Sequence, residues 1–500
     1  MSGPMNESAE VRRHAIRPTR AENFPEWYQQ VIRAADLAEL SSVRGCMIIK
    51  PNGYAIWERI RDILDGMIKE TGHRNAYFPL LIPKSHFERE AIHVEGFAKE
   101  CAVVTHSQLA KGPDGTLIPI SPLEEPLVVR PTSEMVIGEA FARWIQSYRD
   151  LPLLINQWAN VVRWEMRPRL FLRTAEFLWQ EGHTAHESAE EAQAETLCML
   201  ELYRQFAEKY LCLPVLCGKK TTSERFPGAE ETYAIEAMMQ DGKALQAATS
   251  HFLGQNFAHA CAIKFAGRNG QEAFAWTSSW GSSTRLIGGL IMAHGDDDGI
   301  ILPPDLAPVQ VAVLPLIRGD GDGEVLDYAK KLRKALLVAD PALRVEVDGR
   351  PLRGGEKFWQ RVKGGTPLIV ELGRRELEES TVSYLRRDGK EKMAMPFDVF
   401  VSSASDLLRD FGKALYERQL ALRRSRTVSA KSKEELREFF ADGGGFAEAY
   451  FCGDRDLEKQ IGTELSISTR CIPLDRESEV GPCIADPSQK GPLTIFAKAY

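Results

Sequence analysis

The stretch Arg163–His186 reads RWEMRPRLFLRTAEFLWQEGHTAH. Arg163, Arg167, Arg169 and Arg173 fall within eleven residues, interleaved with Trp164, Met166, Leu170, Phe171 and Leu172. Arginine presents a planar fork of donors that matches carboxylate and phosphate oxygens two at a time. Arg163 and Arg173 flank a proline-containing turn, and the apolar run EFLWQEGHTAH follows. Two readings fit this stretch taken alone: a strand–loop–strand clamp on a nucleotide, or a solvated charged hairpin.

Three neighbouring blocks bear on the choice. RPTSE, Arg130 to Glu134, sets a hydroxyl and a carboxylate just upstream. ALQAATSHFLGQNF carries Gln246, Thr249 and His251 at short spacing. SSWGSSTRLIGGLIMAHGDDDG places Arg285 at the head of an apolar helix, behind Gly281 and ahead of Gly288 and Gly289. A glycine-rich turn with an arginine suits a phosphate. By itself it is equally a packing glycine pair, and His251 by itself is equally a core histidine.

Further out, Ile56, Ile60, Ile63, Leu64 and Met67 recur at helical steps across Gly53–Thr71, with Gly72 as the stop. NAYFPLLIP then reads as a strand near a sheet edge or an interface, and Glu187–Leu211 as a second long helix. Apolar runs such as LPLLINQWANVVRWE, with few two-residue hairpin signals, indicate an antiparallel sheet flanked by helices. Pro303, Pro304 and Pro308 mark a boundary. Beyond it VQVAVLPLI, DYAKKLRKALLVAD, LRVEVDG, GEKFWQRVKGG and TPLIVELG alternate strand and helix, the α/β pattern. A third segment begins near residue 411 with the helix FGKALYERQLALRRSRTV.

At 500 residues the chain is too long for one core. It is 44% hydrophobic and 27% charged with a net charge of −7, which excludes wholesale disorder and argues against a dedicated nucleic-acid coat. No stretch approaches the ~20 apolar residues of a membrane helix, and the N-terminus has no signal-peptide core. Nine cysteines at no framework spacing fit a reduced, cytoplasmic setting.

Taken in order, the helix and strand of Gly53–Pro83, the stretch Arg163–His186 and the stretch Ser282–Pro304 resemble the three motifs of the class II aminoacyl-tRNA synthetases. RPTSE, FLWQEGHTAH, TYAIEAMMQDGKALQAATSHFLGQNF and WGSSTRLIGGLIMAHGDDDGIILPPDLAPVQV narrow the resemblance to the prolyl-tRNA synthetases of the archaeal and eukaryotic-like form, from about Phe24 to Tyr500. Residues 1–20 are polar, with Gly3, Pro4 and Pro18, and read as a loose arm. The resemblance implies an α+β chain: a class II catalytic domain over 21–306, an α/β anticodon-binding domain over 307–408, and a small α+β C-terminal domain over 409–500. It implies a homodimer and the substrates ATP with Mg²⁺, L-proline and tRNA(Pro).

The same resemblance assigns roles. Thr132 and Glu134 would hold the proline imino group, with His251 in the prolyl pocket. Arg163 would bridge the proline carboxylate and the α-phosphate and is the expected catalytic residue. Arg173, Thr174, Gln246, Thr249, Ser283 and Arg285 would hold ATP. Glu165, Trp179, Glu181 and His183 would wall or support the pocket. Arg350, Lys357, Trp359, Lys363 and Arg374 would meet the tRNA, although WQRVKGGTP departs from the family's Trp-Glu-x-Lys-Gly. Synthetase-like proteins that have lost the activity typically lack one of the motif arginines. This chain keeps Arg163, Arg173 and Arg285. Some bacterial relatives insert an editing domain between the second and third motifs. Here only His186 to Ser282 separates them, so none is expected.

Relatives of this form often bind one Zn²⁺ through four cysteines near the C-terminus. Cys452 and Cys483 occupy two of those places, and Leu457 and Asp486 stand at the other two. Leucine cannot coordinate, so no structural zinc is expected. The segment would instead be held by Phe451, Ile461, Leu465, Ile472, Leu474 and Ile495, with the terminal FAKAY packed back toward the catalytic domain.

Overall fold

The computed structural model describes residues 15–88, 100–317, 323–389 and 391–500. They form two compact units: the described residues up to Leu37 with His294–Phe411, and Ala38–Ala293 with Gly412–Tyr500.

The larger unit is built on a sheet of twelve strands among the described residues. Its central stretch runs, neighbour to neighbour, through Val215–Lys219, Glu231–Met238, Ala244–Gly254, Trp276–Ser283, Glu176–His186 and Leu153–Val162, all antiparallel. The helix Ala189–Lys209 packs on it, with Met199, Leu200, Tyr203 and Phe206 buried. Its cap is the Ser188 side chain, which accepts from the Glu191 amide. Gly182 and Trp280 face each other in register, and a Cβ at Gly182 would lie 2.0 Å from the indole. Glycine at 182 is therefore what leaves room for the buried Trp280 indole on the neighbouring strand.

Helices fall where the periodicity puts them, at Pro51–Glu70 and Ala189–Lys209. The edge strand read in NAYFPLLIP shrinks to Leu81–Pro83, paired with Leu127–Val129. A long hairpin, Ala102–Lys111 with Leu117–Val129, has no counterpart in the sequence reading. Its side chains are mostly exposed, so it lacks the half-buried alternation that betrays a strand.

The C-terminal segment shares the catalytic sheet. Strand Ser468–Pro473 pairs with Val215–Lys219, matching Ile472 to Lys219 and Pro473 to Gly218. Phe451, Ile461 and Phe496 are buried in an apolar cluster of the segment, joined by Leu465, and Ile495 is buried in an adjoining one. The terminal residues dock as expected: Tyr500 Oη donates to Asp241 Oδ2 at 2.6 Å, and the Ala244 amide donates to the Lys498 carbonyl at 2.8 Å.

In the smaller unit, Val345–Val347, Val311–Pro315 and Leu368–Leu372 are parallel, and Thr381–Arg386 and Lys392–Pro396 continue the sheet antiparallel. Alternate residues cover both faces. Val311, Val313 and Val370 meet the helix Gly323–Ala339, while Ala312, Leu314 and Ile369 meet Val362 and Phe358. Two expectations need correction. The third segment does not begin with a new helix near 411, because one helix runs from Phe397 to Ser425 without a proline to stop it. Of the arm 1–20, residues 1–14 lie outside the described residues, but the rest is not loose. Ile16 is buried and Arg20 grips Asp297 through backbone and side chain. Among the described residues no helix is long and apolar enough to cross a membrane.

Candidate active site

The antiparallel sheet of the larger unit supports a cavity of about 390 Å³ lined by Thr132, Glu134, Arg163, Trp179, Glu181, His183, Gln246, Thr249, His251, Ser283 and Arg285. A second cavity of about 280 Å³ is lined by Glu100, Glu165, Arg173 and Thr174. Both share Arg163, Phe177, Ser283 and Arg285. The fourteen residues singled out from the sequence for this region thus lie on two adjoining cavities, with Arg163 and Arg285 among those shared by both.

Arg163 follows strand Leu153–Val162, and its amide donates to the Ala175 carbonyl across the turn. Its Nε donates to the Pro131 carbonyl at 2.8 Å, and its guanidinium lies 5.6 and 5.7 Å from the ring centres of Phe177 and Trp179. Both rings lie within cation–π reach and help hold the guanidinium in place. Burial lowers the guanidinium pKa, and the Glu134 and Glu181 carboxylates oppose that shift.

Thr132 Oγ1 donates to Glu134, the first residue of helix Glu134–Trp144. Next to them Glu181 is buried and fully engaged. Oε1 accepts from Ser133 Oγ at 2.5 Å and Gln157 Nε2 at 2.8 Å, and Oε2 lies 3.1 Å from His183 Nε2. Burial alone would depress the His183 pKa, but its bond to Glu181 and the charges of Glu181 and Glu134 carry it above the ordinary value. His251 is the opposite case. Burial, with the His183 charge adding to it, pulls its pKa down to about 3, so its ring is neutral. Its Nδ1 is 3.0 Å from Thr232 Oγ1 and its ring 4.5 Å from Phe226.

On the strand that carries Gln246 and Thr249 a β-bulge matters. In the strand Ala244–Gly254, Ala248 pairs with Ile235 and Gln246 with Glu236, leaving Ala247 extra. A regular strand would send Gln246 and Thr249 to opposite faces; the extra residue returns both to one cavity. The turn 169–173 is closed by reciprocal backbone bonds between Arg169 and Arg173 at 2.6 and 2.9 Å. It leaves Arg173 exposed, with Nε 4.0 Å from Glu165. Thr174 Oγ1 donates to the Glu176 carbonyl at 2.7 Å. Arg285 opens the helix Arg285–His294, with its amide on Ser283 Oγ at 3.2 Å and Nε on the Leu172 carbonyl at 3.3 Å. Burial, then the neighbouring Arg163 and Arg173, lower its pKa to about 10. Three guanidinium groups converging in one place mark a site for several negative charges.

Comparison with known proteins follows the same geometry. The family described as tRNA synthetase class II core domain (G, H, P, S and T) matches residues 118–294. The anticodon binding domain matches 310–407, and the family described as prolyl-tRNA synthetase, C-terminal, matches 433–500. The proline–tRNA ligase of Bdellovibrio bacteriovorus is 53% identical, over 97% of this chain and 99% of its own length. That of Rhodopirellula baltica is 54% identical over 98% of each chain. The chain belongs to the prolyl-tRNA synthetase family. A crystal structure of prolyl-tRNA synthetase from Cryptosporidium parvum, complexed with halofuginone and AMPPNP, superposes with a TM-score of 0.89 at 35% identity, covering 97% of each chain.

Set against that family, some lining residues escape sequence reasoning. Phe226 and its neighbours Glu224, Arg225 and Pro227 come from a connection with no periodic signal. Ser133 and Gln157 were legible in principle: Gln157 is a polar residue inside the apolar run LLINQWANVV, and a buried amide needs a partner. In the anticodon-binding unit Lys357 departs from its expected role. It is 1% exposed, and its Nζ donates to the Asp348 carbonyl at 2.9 Å. Trp359 is exposed, and Arg350 lies at the surface with its guanidinium on Asp348 and on Gln360. Arg374 opens the short exposed helix Arg374–Glu378.

Proposed function

We propose that this chain, a proline–tRNA ligase by family, activates L-proline at the junction of the two cavities, with Arg163 as the residue that spans them. The proline imino group sits on Glu134, oriented by Thr132, with His251 and Trp179 bounding the ring. Buried carboxylate and secondary ammonium are paired, which is what makes burial of either tolerable. The Glu181–His183–Ser133–Gln157 network fixes the floor.

ATP spans the two cavities, with its adenosine on Gln246 and Thr249 of the first and its phosphates under Arg173 and Thr174 of the second and the shared Ser283 and Arg285. The carboxylates of Glu100 and Glu165 on that cavity suit the Mg²⁺ that accompanies ATP and neutralises its phosphate charge. One proline carboxylate oxygen attacks the α-phosphorus in line. The bond to the β-phosphate bridging oxygen breaks, and pyrophosphate leaves. The nucleophile is already an anion, so no base is required. The site contributes position and positive charge on the five-coordinate phosphorus. The terminal ribose hydroxyl of tRNA(Pro) then attacks the prolyl carbonyl, its proton is lost, and AMP leaves.

On the smaller unit the surface groups Arg350, Trp359, Lys363 and Arg374 take the anticodon bases and phosphates, without Lys357. In this reading the domain limits fall at 306/307 and 408/409, the second inside a continuous helix. The protein works as a homodimer in the cytoplasm. The exposed apolar side chains of Leu40, Val43, Ile48 and Tyr54, around the first motif, favour a partner there.

The observation that carries this reading is the position of Arg163 on both cavities, beside two aromatic rings. The test is single-turnover formation of prolyl-adenylate by Arg163→Lys. Loss of the product by 100-fold or more is expected, because a point charge cannot replace a fork; near-normal formation would remove Arg163 from its role.

A further inference from the structure

We propose that Cys452 and Cys483 are an oxidisable thiol pair that closes to a disulfide, standing where this family's relatives often carry zinc. The zinc reading fails on the donor set. Leu457 packs into the apolar cluster of the segment. Asp486 spends its carboxylate on the Ser488 amide and hydroxyl and on Gln489. Among the described residues no group of three or more His, Cys, Asp or Glu is placed to hold a metal. What remains is two free thiols with Sγ atoms 2.9 Å apart.

The backbone holds them in that relation. The Cys452 amide donates to Cys483 Sγ at 3.2 Å. On either side Phe451 N reaches the Pro492 carbonyl at 3.0 Å, Ile484 N the Tyr450 carbonyl at 2.8 Å, and Cys483 N the Gln489 carbonyl at 2.9 Å. The chains approach so closely that a Cβ at Gly491 would stand 1.9 Å from the Phe451 carbonyl oxygen. Neither cysteine needs the backbone to move far for its partner to come within bonding reach.

The two thiols differ in access. Cys483 is buried, while Cys452 is half-buried at the turn before helix Arg455–Leu465, with the Asp454 amide facing its sulfur. Cys452 is therefore the sulfur that meets a hydroperoxide, and Cys483 the one that resolves. The Cys452 thiolate attacks one peroxide oxygen, and the O–O bond breaks. Cys452 becomes a sulfenic acid, and the departing hydroxide takes a proton to become water. The Cys483 thiolate then attacks Cys452 Sγ. The S–O bond breaks, a second water leaves, and the disulfide forms. Both electrons come from the two thiols, and the peroxide is reduced.

The closed loop encloses helix Arg455–Leu465 and the strand Ser468–Pro473, which is paired to the catalytic sheet. Oxidation should thus raise the resistance of this segment to denaturant and proteolysis, reversibly.

The experiment is peptide mapping of the purified full-length chain after hydrogen peroxide, with differential alkylation. The solvent-exposed Cys198 serves as internal reference. Expected is a 452–483 cross-linked peptide, about 2 Da lighter than its thiol parts, reversed by dithiothreitol. Cys483→Ser should leave Cys452 as a sulfenic acid that a dimedone probe captures. The proposal is overturned if both thiols still alkylate when Cys198 is already oxidised, or if Cys452 ends as sulfinic acid beside a free Cys483. One zinc per chain shielding both thiols until chelated would overturn it too.

Discussion

Arg470 and Glu236 form a buried ion pair that joins the C-terminal strand Ser468–Pro473 to the catalytic strand Glu231–Met238. Arg470 Nη2 lies 2.9 and 3.0 Å from the two carboxylate oxygens, and Nε donates to Oε2 at 3.2 Å. Lys220 Nζ adds a third donor at 2.8 Å, and Glu236 is 0% exposed. Glu236 stands opposite Gln246, beside the bulge that brings Gln246 and Thr249 to one cavity.

The two sides of that pair are unequal. Arg470→Met leaves Glu236 neutralised by Lys220. Glu236→Gln leaves two buried cations facing an amide. Removing a partner from a buried pair costs about 3–5 kcal/mol when the remaining charge is uncompensated. Glu236→Gln should therefore reach that range and Arg470→Met fall below it, measured by denaturant unfolding of the full chain. The reverse order would contradict the network as described.

Two buried neutral histidines set an acid limit. Burial lowers the pKa of His186 to about 4, and burial with the His183 charge lowers that of His251 to about 3. In the unfolded chain both sit near the ordinary 6.5. The unfolded state therefore binds more protons as pH falls below about 6.5, and stability drops until the folded values are passed. Each should cost about 2 kcal/mol by pH 5. His183 runs the other way: its raised pKa contributes stability that is complete below 6.5 and lost as pH rises through its folded value. Thermal unfolding from pH 7 to pH 4 should show the acid loss, and His186→Gln should shallow the slope. An unchanged slope in that variant would place the titration elsewhere.

Editing should be absent in cis. The chain from 187 to 281 is taken up by helix Ala189–Lys209, strands Val215–Lys219, Glu231–Met238 and Ala244–Gly254, helix Asn256–Cys261 and the start of Trp276–Ser283. Most of these belong to the catalytic sheet or pack on it, so no inserted domain remains. A pocket separates proline from alanine by only ~1–3 kcal/mol per methylene, so mischarging is expected but not its repair. Alanyl-tRNA incubated with the purified chain should deacylate at the rate seen in buffer. Faster hydrolysis would show an editing site that the fold does not display.

How much of this was legible depends on the kind of signal. The helices Pro51–Glu70 and Ala189–Lys209 follow from apolar spacing, and the alternation after Pro308 gives the smaller α/β sheet. The gathering of Arg163, Arg173 and Arg285 on adjoining cavities was foreseeable from motif order, not from any local pattern. Three things were hidden. The bulge at Ala247 leaves no mark in a strand of small residues. The fusion of Ser468–Pro473 onto Val215–Lys219 is a backbone edge pairing across some 250 residues, and edge pairing has no side-chain code. Lys357 looked like a surface cation because its neighbours are charged, yet the helix Gly354–Lys363 turns it inward to a carbonyl.

The most direct test of the account is proline-dependent ATP–pyrophosphate exchange by the purified chain. The account predicts exchange that requires proline and Mg²⁺, falls at least 100-fold with alanine as the amino acid at subsaturating concentration, and vanishes in Arg163→Ala. Exchange that proceeds without proline, that another amino acid drives better, or that survives in Arg163→Ala would contradict it.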